Sequence, residues 1–239
     1  MKALAIILFA LALVLNACDI ARDRVRGNGE IKEESRNETG FNKVEVSGAI
    51  RVYARQDSSW AVKVVTDANL LTHVDTYVEG QTLVIRPEEG YNLDPSSSVK
   101  VYISSPSYTD FDISGASEVN TENRISDNRS ITLGLSGASK AELDLKSPLI
   151  RVELSGASVV RLRGETRDLD IDAAGASKAL CYNLPSENAS VDLSGACSAE
   201  VMASVQLKAD ASGASHIRYK GTPQVNQSVS GAGSVKKED

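Results

Sequence analysis

Between residues 111 and 235 apolar and polar residues alternate in short runs, and each pair of runs is joined by nearly the same five residues. The phrase reads ISGAS around Gly115, LSGAS around Gly137 and Gly156, and AAGAS around Gly175. It continues as LSGAC around Gly195, ASGAS around Gly213 and VSGAG around Gly231. Successive glycines are 22, 19, 19, 20, 18 and 18 residues apart. Aligned on glycine, the positions six, four and two residues before it are apolar in all but two instances, Thr109 and Gln227, as in Ile150, Val152 and Leu154 or Leu207, Ala209 and Ala211. In the five copies from Gly137 to Gly213 the positions four and six residues after it are apolar too, as in Val160 with Leu162 or Ala199 with Val201. Alternation of period two marks a strand with one buried face. Each repeat is therefore predicted to be strand, corner, strand and loop.

A unit of about 19 residues is too short for a pair of helices and cannot bury its apolar face alone, so it must stack on its neighbours. Stacking in parallel register predicts an all-β chain, a parallel β-helix whose coils lie about 4.8 Å apart and span about 29 Å from Gly115 to Gly231. The twist of L-residue strands makes the winding right-handed. The drifting interval fits the left-handed hexapeptide coil poorly. Gly115, Gly137, Gly156, Gly175, Gly195, Gly213 and Gly231 are the candidate corner residues, because glycine tolerates positive φ and close backbone approach. The alanine that follows each one is expected to fill the narrow space inside the corner. The repeated serines form two files, expected to bond to neighbouring backbone.

Residues 106–235 form this array, and 41–105 differ. There Phe41, Val44, Val46, Ile50, Val52, Val62, Val64, Val78, Leu83 and Ile85 alternate as strands, with a hairpin turn at Glu79-Gly80-Gln81. This β-rich layer is expected to cap one end of the stack. It contains an isolated early copy of the corner, Val46-Ser47-Gly48-Ala49. At the other end Lys236, Lys237, Glu238 and Asp239 are expected to block further strand pairing.

The N-terminus carries a cellular address. Lys2 followed by the apolar run Ala3–Leu15 reads as a secretory signal, too short for a membrane span. Leu15-Asn16-Ala17-Cys18 has the form of a bacterial lipobox, which makes residues 1–18 a lipoprotein signal peptide and Cys18 the lipidated mature N-terminus. The protein is then exported and lipid-anchored in the bacterial cell envelope, facing the periplasm or sitting in the outer membrane. Residues 19–40 are charged and polar without apolar periodicity, and are expected to be a flexible tether.

Composition narrows the partners. Aromatic residues are 5% of the chain, so the core must be aliphatic. The formal net charge of −6 argues against nucleic acid.

Nucleophilic catalysis needs one serine beside an oriented base, whereas the array supplies many equivalent serines against two histidines, His73 and His216. Asp112, Asp172, Asp192 and Asp210 form a partial outward file interrupted by Gly134 and Glu153, which reads as a solvated face and not as a calcium roll. No catalytic residue, metal ligand or cofactor is assigned. Cys181 and Cys197 occupy different slots of the repeat and are expected to be two separate small residues, not a disulfide.

FNKVEVSGAIRVYARQ, WAVKVVTDANLL, TYVEGQTLVI and VKVYISSPSYTDFDISGASEV occur in that order before the serial SGAS copies. This succession resembles the bacterial domain family of auto-transporter adhesins with a head GIN domain, over residues 41 to about 233. The resemblance implies a right-handed β-helix on an exported, often lipid-anchored protein, and assigns no functional residue.

A non-enzymatic envelope module for binding, adhesion or structure is the expected function. Its partners are the membrane, through the lipid, an envelope protein or glycan, and possible further copies of itself. The alternatives are a carbohydrate-active β-helix enzyme, which would need long loops and a carboxylate cleft, and a component of an envelope-stress sensor.

Overall fold

A computed structural model describes residues 23–239 of the chain. Cys18 and the signal peptide lie outside the described residues. The chain winds into a parallel β-solenoid of about seven turns with coils of roughly 19 residues.

Period two becomes vertical files of side chains. On the face before the corner, Val46 pairs in register with Ile113, and the file continues through Leu135, Leu154, Ala173, Leu193 and Ala211 to Val229. On the face after the corner, Val52, Val119, Ala141, Val160, Ala179, Ala199, Ile217 and Val235 stack likewise. Nearly all of these side chains are buried; Val229 and Val235, on the last coil, are the uncovered ones. The core is aliphatic as composition requires, except near the N-terminal end. There Phe41, Tyr108 and Phe111 are buried and the Tyr108 hydroxyl donates to the Arg55 carbonyl at 3.1 Å.

The corner glycines also stack, each at φ between +70° and +94°. The N–H of the following alanine donates to the carbonyl of the glycine one coil below, as in Ala157 to Gly137 at 2.8 Å and Ala214 to Gly195 at 2.7 Å. A Cβ on Gly156 would stand 2.5 Å from that Gly137 oxygen, so both the dihedral and the stacking exclude a side chain. The alanines do not fill the corner as expected. Ala138, Ala157, Ala176, Ala196 and Ala214 are exposed, and it is the last serine of the phrase that turns inward.

Gly48 is not isolated. The coil of Lys43–Val46 and Arg51–Gln56 lies directly beneath that of Asp110–Ile113 and Glu118–Thr121, and Ala116 N–H donates to Gly48 O at 2.7 Å. Beneath it in turn lie Thr82–Pro87 and Lys100–Ser105, both parallel to it. Much of the expected cap over 41–105 is therefore solenoid. The capping layer proper is Ala61–Asp67, antiparallel to Lys100–Ser105, and Val74–Glu79, antiparallel to Thr82–Pro87 across the expected turn at Gly80.

The flexible tether expected over residues 19–40 is corrected for its described part. Asp23–Arg26 pairs parallel with Tyr91–Asp94, and Ile31–Arg36 pairs antiparallel with Ala61–Asp67. Between them the buried Asp67 carboxylate accepts the Gly29 N–H at 2.7 Å, and the Asn69 amide donates to Arg26 O at 2.9 Å. Order here comes from adding strands to an existing sheet edge, which a polar segment can do without burying apolar surface.

Candidate binding groove at the second corner

Each coil turns a second time, opposite in role to the glycine corner. Ser105, Ser147 and Thr166 mark it, and each hydroxyl donates to the carbonyl two residues ahead: Ser107 at 2.9 Å, Leu149 at 2.9 Å and Asp168 at 2.9 Å. Ser105 and Ser147 precede prolines; the strand Lys100–Ser105 ends at the first, while Lys140–Leu154 bends through the second, Pro148 alone dropping out of the pairing. Ser186 continues the file by donating to Met202 O at 3.0 Å.

Where these turns splay they line a groove of about 810 Å³ that includes Gln56, Ser107, Asp127, Arg129, Lys146 and Glu165. Arg167 and Glu187 extend it along the stack. Gln56 braces one wall. Its amide donates to Pro106 O and Ser126 O, both at 2.9 Å, and its side-chain oxygen accepts Ser126 N–H at 2.7 Å. Loops from coils distant in sequence are thereby clasped by one side chain.

Four of the groove's six charges form two ion pairs across it. Arg129 grips Asp127 through Nε and Nη2, each at 3.0 Å. The Asp127 carboxyl is held below the usual carboxylate range, first by that hydrogen bond and against the opposing effect of burial. Lys146 meets Glu165 one coil above at 2.6 Å, and its hydrogen bond likewise lowers the Glu165 pKa. Both carboxylates are ionised at neutral pH, so neither has a proton to give as a general acid. Three cations alternate with three acids along the groove wall, which suits recognition of a polar surface.

The remaining sequence-predicted positions fall elsewhere. The seven corner glycines come together in one file on the opposite edge, each packed against the backbone of the glycine one coil below. In the inward serine file, Ser139 and Ser158 donate to the carbonyls of Ser136 and Ser155 at 2.8 and 2.7 Å, and Cys197 substitutes by placing Sγ 3.2 Å from Ser194 O. Those hydroxyls are buried and spent on backbone. His73 Nδ1 lies 2.6 Å from Glu88 Oε2 in the capping region, and His216 Nδ1 lies 2.8 Å from Ser234 Oγ on an exposed flank. Neither histidine borders the groove. Cys181 and Cys197 are both buried and free, as their differing slots imply. The acidic file is continuous in register from Glu153 through Asp172 and Asp192 to Asp210. Among the described residues no group of three or more His, Cys, Asp or Glu side chains is arranged to hold a metal ion.

The second corner and its groove escaped the sequence reading. Their signals were the Ser-Pro pairs at 105–106 and 147–148, and opposite charges one coil apart, such as Lys146 with Glu165.

Solved structures share this fold. A "putative adhesin" from Bacteroides fragilis NCTC 9343 is 18% identical, covering 90% of this chain and 100% of its own, with a TM-score of 0.82. A "putative adhesin" from Parabacteroides merdae ATCC 43184 is 21% identical, covering 91% of this chain and 100% of its own, with a TM-score of 0.72. A protein described as a "putative lipid binding protein" from Parabacteroides distasonis ATCC 8503 gives the same figures, 21%, 91%, 100% and 0.72. No curated protein matches the sequence. The family model described as "Putative auto-transporter adhesin, head GIN domain" matches residues 40–223, from just before the first coil to just past the corner at Gly213. That span takes in the stacked glycines from Gly48 to Gly213 and the whole groove, and the chain accordingly belongs to this adhesin-like head GIN domain family.

Proposed function

We propose that this protein is an exported envelope module, anchored by lipid on Cys18, that binds a polar partner on the cell envelope through the second-corner groove without transforming it. The observation that carries the reading is the pairing of the groove's charges. Asp127 with Arg129 and Lys146 with Glu165 hold fixed positions, and both carboxylates stay ionised at neutral pH, which serves recognition and gives neither of them a proton to donate. Ser139, Ser158 and Ser177 of the inward file donate to corner carbonyls, and the whole file, Ser117 and Ser215 included, is buried away from any substrate. Adhesin-like relatives of the same fold support a binding role.

Pull-down from native membranes with the anchored protein tests this directly. A triple variant Arg129→Ala, Lys146→Glu, Arg167→Glu should lose the captured component while retaining the native far-UV spectrum. Equal capture by the variant would move the binding surface elsewhere. Release of reducing ends or unsaturated products from an envelope polysaccharide by the purified protein would overturn the non-enzymatic reading.

A further inference from the structure

The two ends of the stack are finished differently. At the N-terminal end the cap has two outermost strands: Ile31–Arg36, which carries Lys32, Glu33, Glu34 and Arg36 over antiparallel layers, and Val74–Glu79, which carries Asp75 and Glu79. Charges on an edge strand discourage a second chain from adding to it. At the C-terminal end the last coil begins with Gln224–Val229, which pairs with Gln206–Ala211 on one side. Among the described residues nothing pairs with its other edge. From Gly221 to Val235 the chain has no charged residue. Val225 is half-buried and Val229 is 44% exposed, whereas Leu207 and Ala211 one coil below are covered.

The terminal charges expected to guard this end protect only part of it. Lys237 stands over Tyr219 in the inward file of the Ser234–Lys237 arm, an effective block to pairing there. Glu238 bends down the flank, accepting the Tyr182 hydroxyl at 2.9 Å and lying 3.4 Å from Arg218, while Lys220 donates to the Asp239 carbonyl at 2.8 Å. The Gln224–Val229 arm is left without a guard.

We propose that this bare edge is a self-association surface, through which two copies join end to end by antiparallel pairing of Gln224–Val229 about a twofold axis at Gln227. A second copy is the occupant the surface fits. The chain is acidic, with a formal net charge of −6, so two copies repel through most of their surfaces and meet most cheaply at an uncharged end. The strand is also complementary to itself. With the axis at Gln227, Val225 lies opposite Val229 of the other copy, and the inward valine files continue across the junction. Asn226 lies opposite Ser228, and Gln227 faces its own copy, an amide being both donor and acceptor. Paired residues of antiparallel strands share a face, so the inward file stays inward in this register. A twofold contact of this kind closes at a dimer, and the charges on the Ile31–Arg36 and Val74–Glu79 strands at the other end oppose growth into a filament.

Sedimentation equilibrium of the protein in detergent should give twice the one-chain mass. Gln227→Cys should form a disulfide-linked dimer in the absence of reductant, since the two thiols meet at the axis, while Glu33→Cys at the opposite end and the parent chain should not. Asn226→Lys with Ser228→Lys sets lysine opposite lysine at exposed positions on both sides of the axis. That variant should dissociate at a concentration at least about tenfold higher with an unchanged far-UV spectrum. A one-chain mass at every loading concentration would overturn the proposal. So would a dimer indifferent to the lysine pair, or cross-linking through Glu33→Cys.

Discussion

Replacing Gly156 by alanine isolates what the corner file contributes. Gly156 has φ +72°, where an L-residue costs about 1–2 kcal/mol. Its new Cβ would stand 2.5 Å from Gly137 O and 3.1 Å from Gly137 N, backbone that the coils above and below hold in place. Overpacking of that kind adds roughly 1–3 kcal/mol. The same Gly137 oxygen accepts the Ala157 N–H at 2.8 Å, so a displacement that relieves the clash also lengthens a corner hydrogen bond. The sum is about 3 kcal/mol, which for a chain of this size lowers the melting midpoint by roughly 6–12 °C. Two other glycines supply the reference points. Gly80 has φ +62° with nothing within 4 Å of a Cβ, so Gly80→Ala bears the dihedral cost alone, about 1–2 kcal/mol. Gly134 has an ordinary φ and its nearest contact is 3.8 Å away, so Gly134→Ala should be neutral or slightly stabilising. Scanning calorimetry of the three variants gives the order. If Gly156→Ala melted together with Gly80→Ala, the stacking contribution would be absent and the account of the corner wrong.

Asp67 is buried and accepts Gly29 N–H, Ser96 N–H and the Ser96 hydroxyl at 2.7, 2.9 and 2.6 Å; burial pushes its pKa up, but these donors outweigh it and the folded value lies below the ordinary one. Its contribution to stability is therefore complete above about pH 4 and lost as pH falls through the folded value, so Asp67→Asn should cost about 2 kcal/mol at neutral pH and flatten the acid side of a stability–pH curve. Asp192 sits in register between Asp172 and Asp210, and Asp192→Asn should raise stability by about 0.5 kcal/mol in low salt, with the gain shrinking as salt screens the file. Burial pushes the Cys181 thiol up to about 12, and with Cys197 also buried a thiol reagent should label neither at neutral pH until denaturant is added, when both react without prior reduction.

The repeat was legible because one physical demand recurs in it: a corner that must take positive φ directly above another backbone leaves glycine as the choice, and its spacing sets the register of every file. The same rule, carried straight through the corner, would have placed the alanines. With Leu154 and Val160 inside, period two puts Ser158 inside and Ala157 outside, as observed. Gly48 looked isolated because chain order and stacking order differ. After the coil of Lys43–Gln56 the chain leaves to build the antiparallel cap, lays Thr82–Ser105 beneath that coil, and only then returns above it at Asp110. A period read along the sequence cannot register such an excursion. The N-terminal strands were missed for a different reason. Their composition offers no apolar face, and their order depends on a sheet edge and on Asp67, both supplied by residues much later in the chain.

The surface charges bear on function because the fold does not depend on them. Arg51 with Glu118, Lys146 with Glu165, Arg151 with Asp170 and Arg163 with Asp144 all bridge neighbouring coils in solvent. Exposed pairs of this kind contribute about 0–1 kcal/mol each. The buried files and the parallel backbone ladder hold the stack, and the bridges fix the direction of side chains at the coil spacing. A partner would therefore meet charges repeated at regular height on a rigid support, with little ordering left to be done on binding. For the same reason, reversing Lys146 or Arg167 alters what the groove presents while leaving the coils beneath it intact. Loss of capture by such variants can then be assigned to the groove.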